Sequence, residues 1–171
     1  MSLKIIKILG IDPGLARTGI SVIENTNTSP YTAVFCACIE TQKNEEIHRR
    51  LQKIYFAIDE VIRKYKPTQL AIEKIFFSAN AKTAIDVGQA RGVSMLAATN
   101  NGLEVHEYTP LEIKQAIAGY GRATKDQIKY MVKILLNLNK DMFPKKDDAW
   151  DALAIALTHA SFKKFKDKTG Q

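Results

Sequence analysis

Four carboxylates stand out because of where the chain puts them. Asp148 and Asp151, in KKDDAWDALAIAL, lie three residues apart at the mouth of a run that is apolar from Ala152 onward. On a helix that spacing puts both side chains on one face, one turn apart. Asp147 adds a third acid beside them. Asp12 ends the apolar run IIKILGI directly before a tight turn, and Glu73 is embedded in LAIEKIFF. A carboxylate in a buried strand is costly unless it is paired, hydrogen-bonded or metal-bound. Each acid also has an ordinary explanation: helix-dipole complement, turn opener, partner of a lysine. Those explanations serve one or two aspartates, but three at one helix mouth repel by roughly a few tenths of a kcal/mol per pair. A bound divalent cation removes that penalty. Carboxylate oxygens suit Mg²⁺, with Mn²⁺ able to substitute. Such a set can hold two ions about 3.5–4 Å apart, which clamp the attacking and leaving oxygens of a phosphodiester.

The elements that must position these acids follow from periodicity. KIIKILGID (4–12) is an apolar, β-branched run and reads as a buried strand. PGLARTG (13–19) is a turn, 20–25 a second strand forming a hairpin with the first, 25–30 another turn, and 31–41 a third strand. Over 44–65, Ile47, Leu51, Ile54, Ile58 and Val61 recur at helical steps, and Pro67 marks the end. A strand at 68–75 after that helix implies a crossover and parallel pairing. The spacing predicts a helix rich in small residues over 81–99, a strand at 103–109 and a helix from Pro110 through Ile117. A glycine-containing loop (118–127) follows, with Thr124 and Gln127 matching a capping box that opens a helix to about Asn137. NKDMFPKK reads as a loop before the last helix. The expectation is an α/β fold: a mixed five-stranded sheet flanked by helices, one domain over 1–171, with a solvated tail from about 165. This order of elements is compatible with a ribonuclease H-like fold without singling it out.

Composition bounds the function. The 171 residues suffice for one hydrophobic core. No run of about 18 apolar residues suggests a membrane span, and MSLKIIKILGID is too short in its apolar part for a signal peptide, so the cytoplasm is expected. Cys36 and Cys38 alternate along a strand, a poor geometry for a disulfide and too few ligands for zinc; they read as reduced core or sheet-face residues. Lys and Arg outnumber Asp and Glu by 25 to 18, giving a net charge of +7. That excess points toward nucleic acid without deciding it.

LGIDPGLARTG (9–19), AIEKIFFSANAKTAIDVGQARGV (71–93), AGYGRATKDQIKYMV (118–132) and DAWDALAIALTHA (148–160) resemble, in order and spacing, the RuvC family of Holliday junction resolvases. The resemblance spans essentially the whole chain. GIDPG by itself is weak; GQARGV with GRATKDQ and DAWDALAIALTH is specific in combination. It implies a homodimeric, Mg²⁺-dependent endonuclease with the ribonuclease H-like fold, nicking a four-way junction symmetrically, with a RuvA–RuvB complex as partner. By motif, it implies Asp12, Glu73, Asp148 and Asp151 as the metal-binding catalytic carboxylates. Lys114 and Lys125 match positions that approach the DNA backbone, and Phe76 matches an aromatic that stacks on an unpaired base, with Phe77 a weaker candidate. Stacking on an aromatic is sequence-tolerant and contributes about 1–3 kcal/mol per base. Asp147 falls outside the motif and reads as an N-cap or a group supporting the site from behind. Arg91 reads as either structural or a phosphate contact, and His159 as a satisfied, partly buried histidine. Trp150 stands where the family is often small, and ISVI (20–23) departs from its usual aromatic-glycine pair.

Rival readings come from other classes. A different nuclease or an inactive nucleic-acid-binding relative on the same fold would differ in substrate or lack acids. An ATP-binding protein of the actin and sugar-kinase type shares an Asp-x-Gly turn but needs a second domain, for which 171 residues leave no room. A structural junction binder would bind without metal and never cut.

Overall fold

A computed structural model describes residues 5–25, 31–74 and 81–169, with side chains described from 84 in the helix that begins at 81 and to 163 in the last helix. Phe76 and Phe77 lie outside the described residues. The elements run β1 (Lys7–Asp12), β2 (Arg17–Glu24), β3 (Thr32–Glu40), α1 (Ile47–Tyr65), β4 (Gln69–Glu73), α2 (Ala81–Asn100), β5 (Glu104–Tyr108), α3 (Pro110–Ala118), α4 (Lys125–Leu135), a 3₁₀ turn (Lys140–Met142) and α5 (Asp147–Thr169). The sheet order is β3-β2-β1-β4-β5; β1–β2–β3 pair antiparallel, while β1–β4 and β4–β5 are parallel.

The pleat sorts the side chains. Along β1, Leu9 and Ile11 join the core with α1 and α2, whereas Ile8 joins the core with α3, α4 and α5. Successive side chains alternate faces, so Gly10 and Asp12 share the face of Ile8. Along β4, Leu70 and Ile72 face α1 and α2, while Ala71 belongs to the opposite core, which puts Glu73 on that same face. Gly10 pairs with Ala71 across the parallel ladder. Both strand acids therefore project toward α5.

Small residues on this face let α5 sit directly on the sheet. A Cβ on Gly10 would stand well inside contact distance of the Ala152 carbonyl, and one on Gly19 inside that of the Asp148 carbonyl. Only glycine permits the helix backbone to approach this closely. On the opposite face, α1 ends as the spacing of its apolar stripe requires: Ile54, Ile58 and Ile62 are buried, and Lys66 turns left-handed (φ 53°) before Pro67. Thr109 and Thr124 each form a complete capping box, with Glu112 and Gln127 respectively.

Several expected boundaries shift. The first turn is shorter than 13–19, because Arg17, Thr18 and Gly19 already pair with Glu40, Ile39 and Cys38 of β3. Thr18 is fully buried, its hydroxyl donating to the Gly14 carbonyl at 2.7 Å. The helix expected to reach Asn137 stops at Leu135, and Asn137 adopts φ 47°. The loop before α5 contains the 3₁₀ turn. Asp147 is the first residue of α5 rather than its N-cap.

Candidate active site

Asp12 and Glu73 stand at the C-terminal ends of adjacent parallel strands, and Asp148 and Asp151 on the first turns of α5. Three elements distant in sequence thus bring the four acids together. Asp12, Glu73 and Asp151 line one cleft of about 260 Å³ with Lys114, Lys125, Pro110 and Ile113. Asp148 turns toward the other side of α5, where its Oδ2 lies 3.4 Å from Arg17 Nε and 4.0 Å from Cys38 Sγ.

The electrostatics are those of an incompletely compensated cluster. Burial raises the Asp12 carboxyl to about 7, helped by the charges of Glu73, Asp151 and Asp148 and opposed by Lys125. Burial also raises Glu73, with Asp151 adding to it. Asp151 is raised by burial too, although the Lys125 ammonium pulls the other way. Lys125 Nζ sits 3.0 Å from Asp151 Oδ2 and 3.6 Å from Asp147 Oδ2. Burial disfavours its charge, but the bond and charge of Asp151 and Asp147 prevail and hold it above the ordinary lysine value. Asp147 is held low by Lys129, 2.7 Å away, and by Lys125. Asp147 therefore steers Lys125 and does not line the cleft.

Arg91 is structural: its Nε donates to the Glu73 carbonyl at 3.2 Å and its Nη2 pairs with Glu107, tying α2 to the end of β4 that carries Glu73. Lys114 faces the cleft. His159 is more buried than expected, at 4% exposure, with Nδ1 2.6 Å from the Tyr108 hydroxyl and Nε2 3.1 Å from Gln69 Oε1. Trp150 points away from the acids; its Nε1 donates to the Pro144 carbonyl at 3.1 Å and its ring packs edge-on against Phe143. Sequence reasoning missed Arg17 as the partner of Asp148 and Lys129 as the partner of Asp147. Nothing in local spacing links either pair. Gly19 was visible only as a turn glycine, whereas its role is to admit α5.

The donor set suits a hard divalent cation: it is all carboxylate oxygen, partly buried, and Asp12, Glu73 and Asp151 are each held above the ordinary carboxylate value. As the side chains stand, no three acidic, histidine or cysteine groups among the described residues are close enough to hold an ion. Lys125 and Arg17 supply the counter-charge instead.

Residues 8–159 match the model of the crossover junction endodeoxyribonuclease RuvC family. The chain is 48% identical over 163 residues to crossover junction endodeoxyribonuclease RuvC of Halothermothrix orenii, covering 95% of this chain and 97% of the relative. It is 43% identical over 164 residues to that of Caldanaerobacter subterraneus subsp. tengcongensis, covering 96% and 98%. The structure of T. thermophilus RuvC in complex with Holliday junction substrate superposes with a TM-score of 0.85 at 32% identity, over 94% of this chain and 96% of that one. With its fold, its order of motifs and its length all matched, the chain belongs to the RuvC family of crossover junction endodeoxyribonucleases.

Proposed function

We propose that the chain acts as one nuclease domain that resolves four-way Holliday junctions by metal-assisted hydrolysis, in recombination and DNA repair. The observation that carries this reading is the cluster of Asp12, Glu73, Asp148 and Asp151, gathered from two strand ends and one helix and flanked by Lys114 and Lys125. These four acids would hold the cation, taken as two Mg²⁺ ions with Mn²⁺ able to substitute. Bound there, the cation would supply activation of the attacking water and neutralisation of charge on the leaving 3′ oxygen in a phosphodiester hydrolysis.

The chain's own residues prepare that step. Without metal, Asp12 holds its carboxyl proton up to about pH 7 and relieves part of the repulsion from Glu73, Asp151 and Asp148. Loading a cation requires that proton to leave, so metal affinity weakens toward acid pH. Lys114 and Lys125 act as point charges for phosphates flanking the cut. A phosphate drawing Lys125 from Asp151 would free that carboxylate for the ion. Arg91 fixes the β4 end, and hence Glu73, from behind. Phe76, with Phe77 beside it, remains the proposed base-stacking group. Paired symmetric nicks need two such sites, hence a homodimer, and a RuvA–RuvB complex would deliver the junction. No described helix is long and apolar enough to cross a membrane, and we place the protein in the cytoplasm.

The test is an end-labelled four-way junction and a matched linear duplex, each incubated in Mg²⁺ or EDTA, with nick positions mapped. Paired symmetric nicks on the junction alone, only with Mg²⁺, are expected. Equal cutting of both substrates would remove the junction specificity; binding without nicks under any metal would leave a junction binder.

A further inference from the structure

Two openings reach the acid cluster, one on each side of the α5 N-terminus. The first, with Lys114 and Lys125, holds Asp12, Glu73 and Asp151. The second, about 610 Å³, is formed by the β1–β2 turn (14–17), Lys43, Arg50, Asp86 and Asp148. We propose that this second cleft binds backbone phosphates of the strand being cut, on the side of the scissile phosphate opposite to Lys114 and Lys125. The inference rests on the nuclease reading and adds to it a binding subsite made of Arg17, Lys43 and Arg50.

Arg50 is the built part of the subsite. Its Nε donates to Thr41 Oγ1 at 2.8 Å, the Thr41 hydroxyl donates to the Leu15 carbonyl at 2.6 Å, and the Thr41 N–H donates to the Ala16 carbonyl at 3.1 Å. Thr41 is itself buried. This relay ties the guanidinium to the turn that leaves Asp12, using one of its five N–H donors. Among the described residues no carboxylate forms an ion pair with Arg50 or with Lys43, which is exposed beside it. A structural role alone needs only the Nε contact; a held guanidinium with its terminal nitrogens unpaired is the usual way to grip a phosphate. Arg17, with 54% of its side chain exposed, bridges this cleft to Asp148 at 3.4 Å. One acid besides Asp148, Asp86 of α2, lines the wall, leaving three cations against two acids. A strand laid across α5 then meets positive charge on both sides and carboxylates at the centre, so its register over the acids is set from two directions. Phosphate contacts fix register in this way without reading sequence.

The test is four-way junction affinity in EDTA across a salt series for wild type, Lys43→Ala, Arg50→Gln and the double variant, with Lys64→Ala, at the far end of α1, as control. Each lost contact should lower the log–log salt slope by about 0.7–0.9, so the double variant should fall by about 1.4–1.8 while Lys64→Ala leaves the slope unchanged. Lys43 is exposed, so its variant carries the test even if Arg50→Gln disturbs the turn. Unchanged slopes in Lys43→Ala and the double variant, with wild type still nicking junctions in Mg²⁺, would overturn the subsite and leave the nuclease standing. Weaker binding at an unchanged slope would overturn it as well, reducing Arg50 to a brace for the turn. A wild type that neither binds nor nicks junctions would sink the nuclease reading, and the subsite with it.

Discussion

The two ends of one buried stretch of α5 treat polar groups in opposite ways. At Asp148 and Asp151 the helix meets Asp12 and Glu73, and three of these four carboxylates are driven above their ordinary pKa by burial and mutual repulsion. Two turns on, His159 is almost fully buried, yet both ring nitrogens have partners, in the Tyr108 hydroxyl and the Gln69 amide. Gln69 in turn donates to Glu104 at 3.2 Å, and the ring stacks on His106 with centroids 4.2 Å apart. A satisfied buried network stabilises and fixes a core. An unsatisfied cluster of charges calls for an explanation, and a bound cation would supply it here. The difference separates a site from a strut within a single helix.

The strongest way to break this contrast is to neutralise one acid. Glu73→Gln should reduce junction cleavage by more than about 100-fold, beyond the 10–100-fold typical of losing a group that only supports a metal ligand, while junction binding in EDTA persists. Cleavage within tenfold of wild type would remove Glu73 from the site. The mirror experiment is at the other end of the helix. His159→Ala leaves the Tyr108 hydroxyl and the Gln69 amide without their imidazole partner, at roughly 1–3 kcal/mol for each buried group left unpaired. Denaturant unfolding should show that loss, with per-molecule cleavage by the folded fraction near wild type. A variant as stable as wild type would mean the network is not the strut described here.

Gly19→Ala connects the two regions through the backbone. The added methyl displaces Asp148 and the start of α5, with a stability loss of about 1–3 kcal/mol as for other overpacked sites. Cleavage should fall more than stability alone explains, because Asp148 moves with the helix; an unaffected variant would show that α5 can shift without cost. The last test is of pH dependence. Asp12 is raised from about 3.8 to about 7 on folding, so between those values the folded state binds more protons than the unfolded one. Stability of the metal-free protein from this group therefore falls as pH rises from about 4 to 7. Glu73 and Asp151 are raised as well and act in the same direction. Thermal melts in EDTA should show Tm declining over that window, flattened in Asp12→Asn and by Mg²⁺ at neutral pH. A Tm that rises across the window, in wild type and Asp12→Asn alike, would contradict the assignment.

Much of the fold is local and was legible as such. The helices of α1, α3 and α4 follow from apolar spacing and from two capping boxes whose partners are three residues apart. The strand acids were conspicuous because an ionised side chain at the end of an apolar run conflicts with its surroundings. What stayed hidden involves partners far apart in the chain. Arg17 and Asp148 are separated by 131 positions, yet their Nε and Oδ2 stand 3.4 Å apart. The first turn was overextended because Arg17, Thr18 and Gly19 look like turn residues, and only pairing with β3 makes them strand. Asp147 suggested a cap because Asp favours that position, but Lys129 and Lys125 claim its carboxylate.

By itself the sequence determined which residues carry charge into apolar surroundings, the order of strands and helices, and the motifs that mark the family. Those properties depend on residue type and short spacing, and the periods of 2 and 3.6 expose them directly. The tertiary structure alone decided that Gly10 and Gly19 admit α5 onto the sheet. It also decided that the four acids divide between two clefts, and that Lys125 and Arg17 stand as their counter-ions. Those outcomes depend on which face of which strand meets which turn of a helix well over a hundred residues later. Close packing of the whole core sets that, and no local pattern contains it.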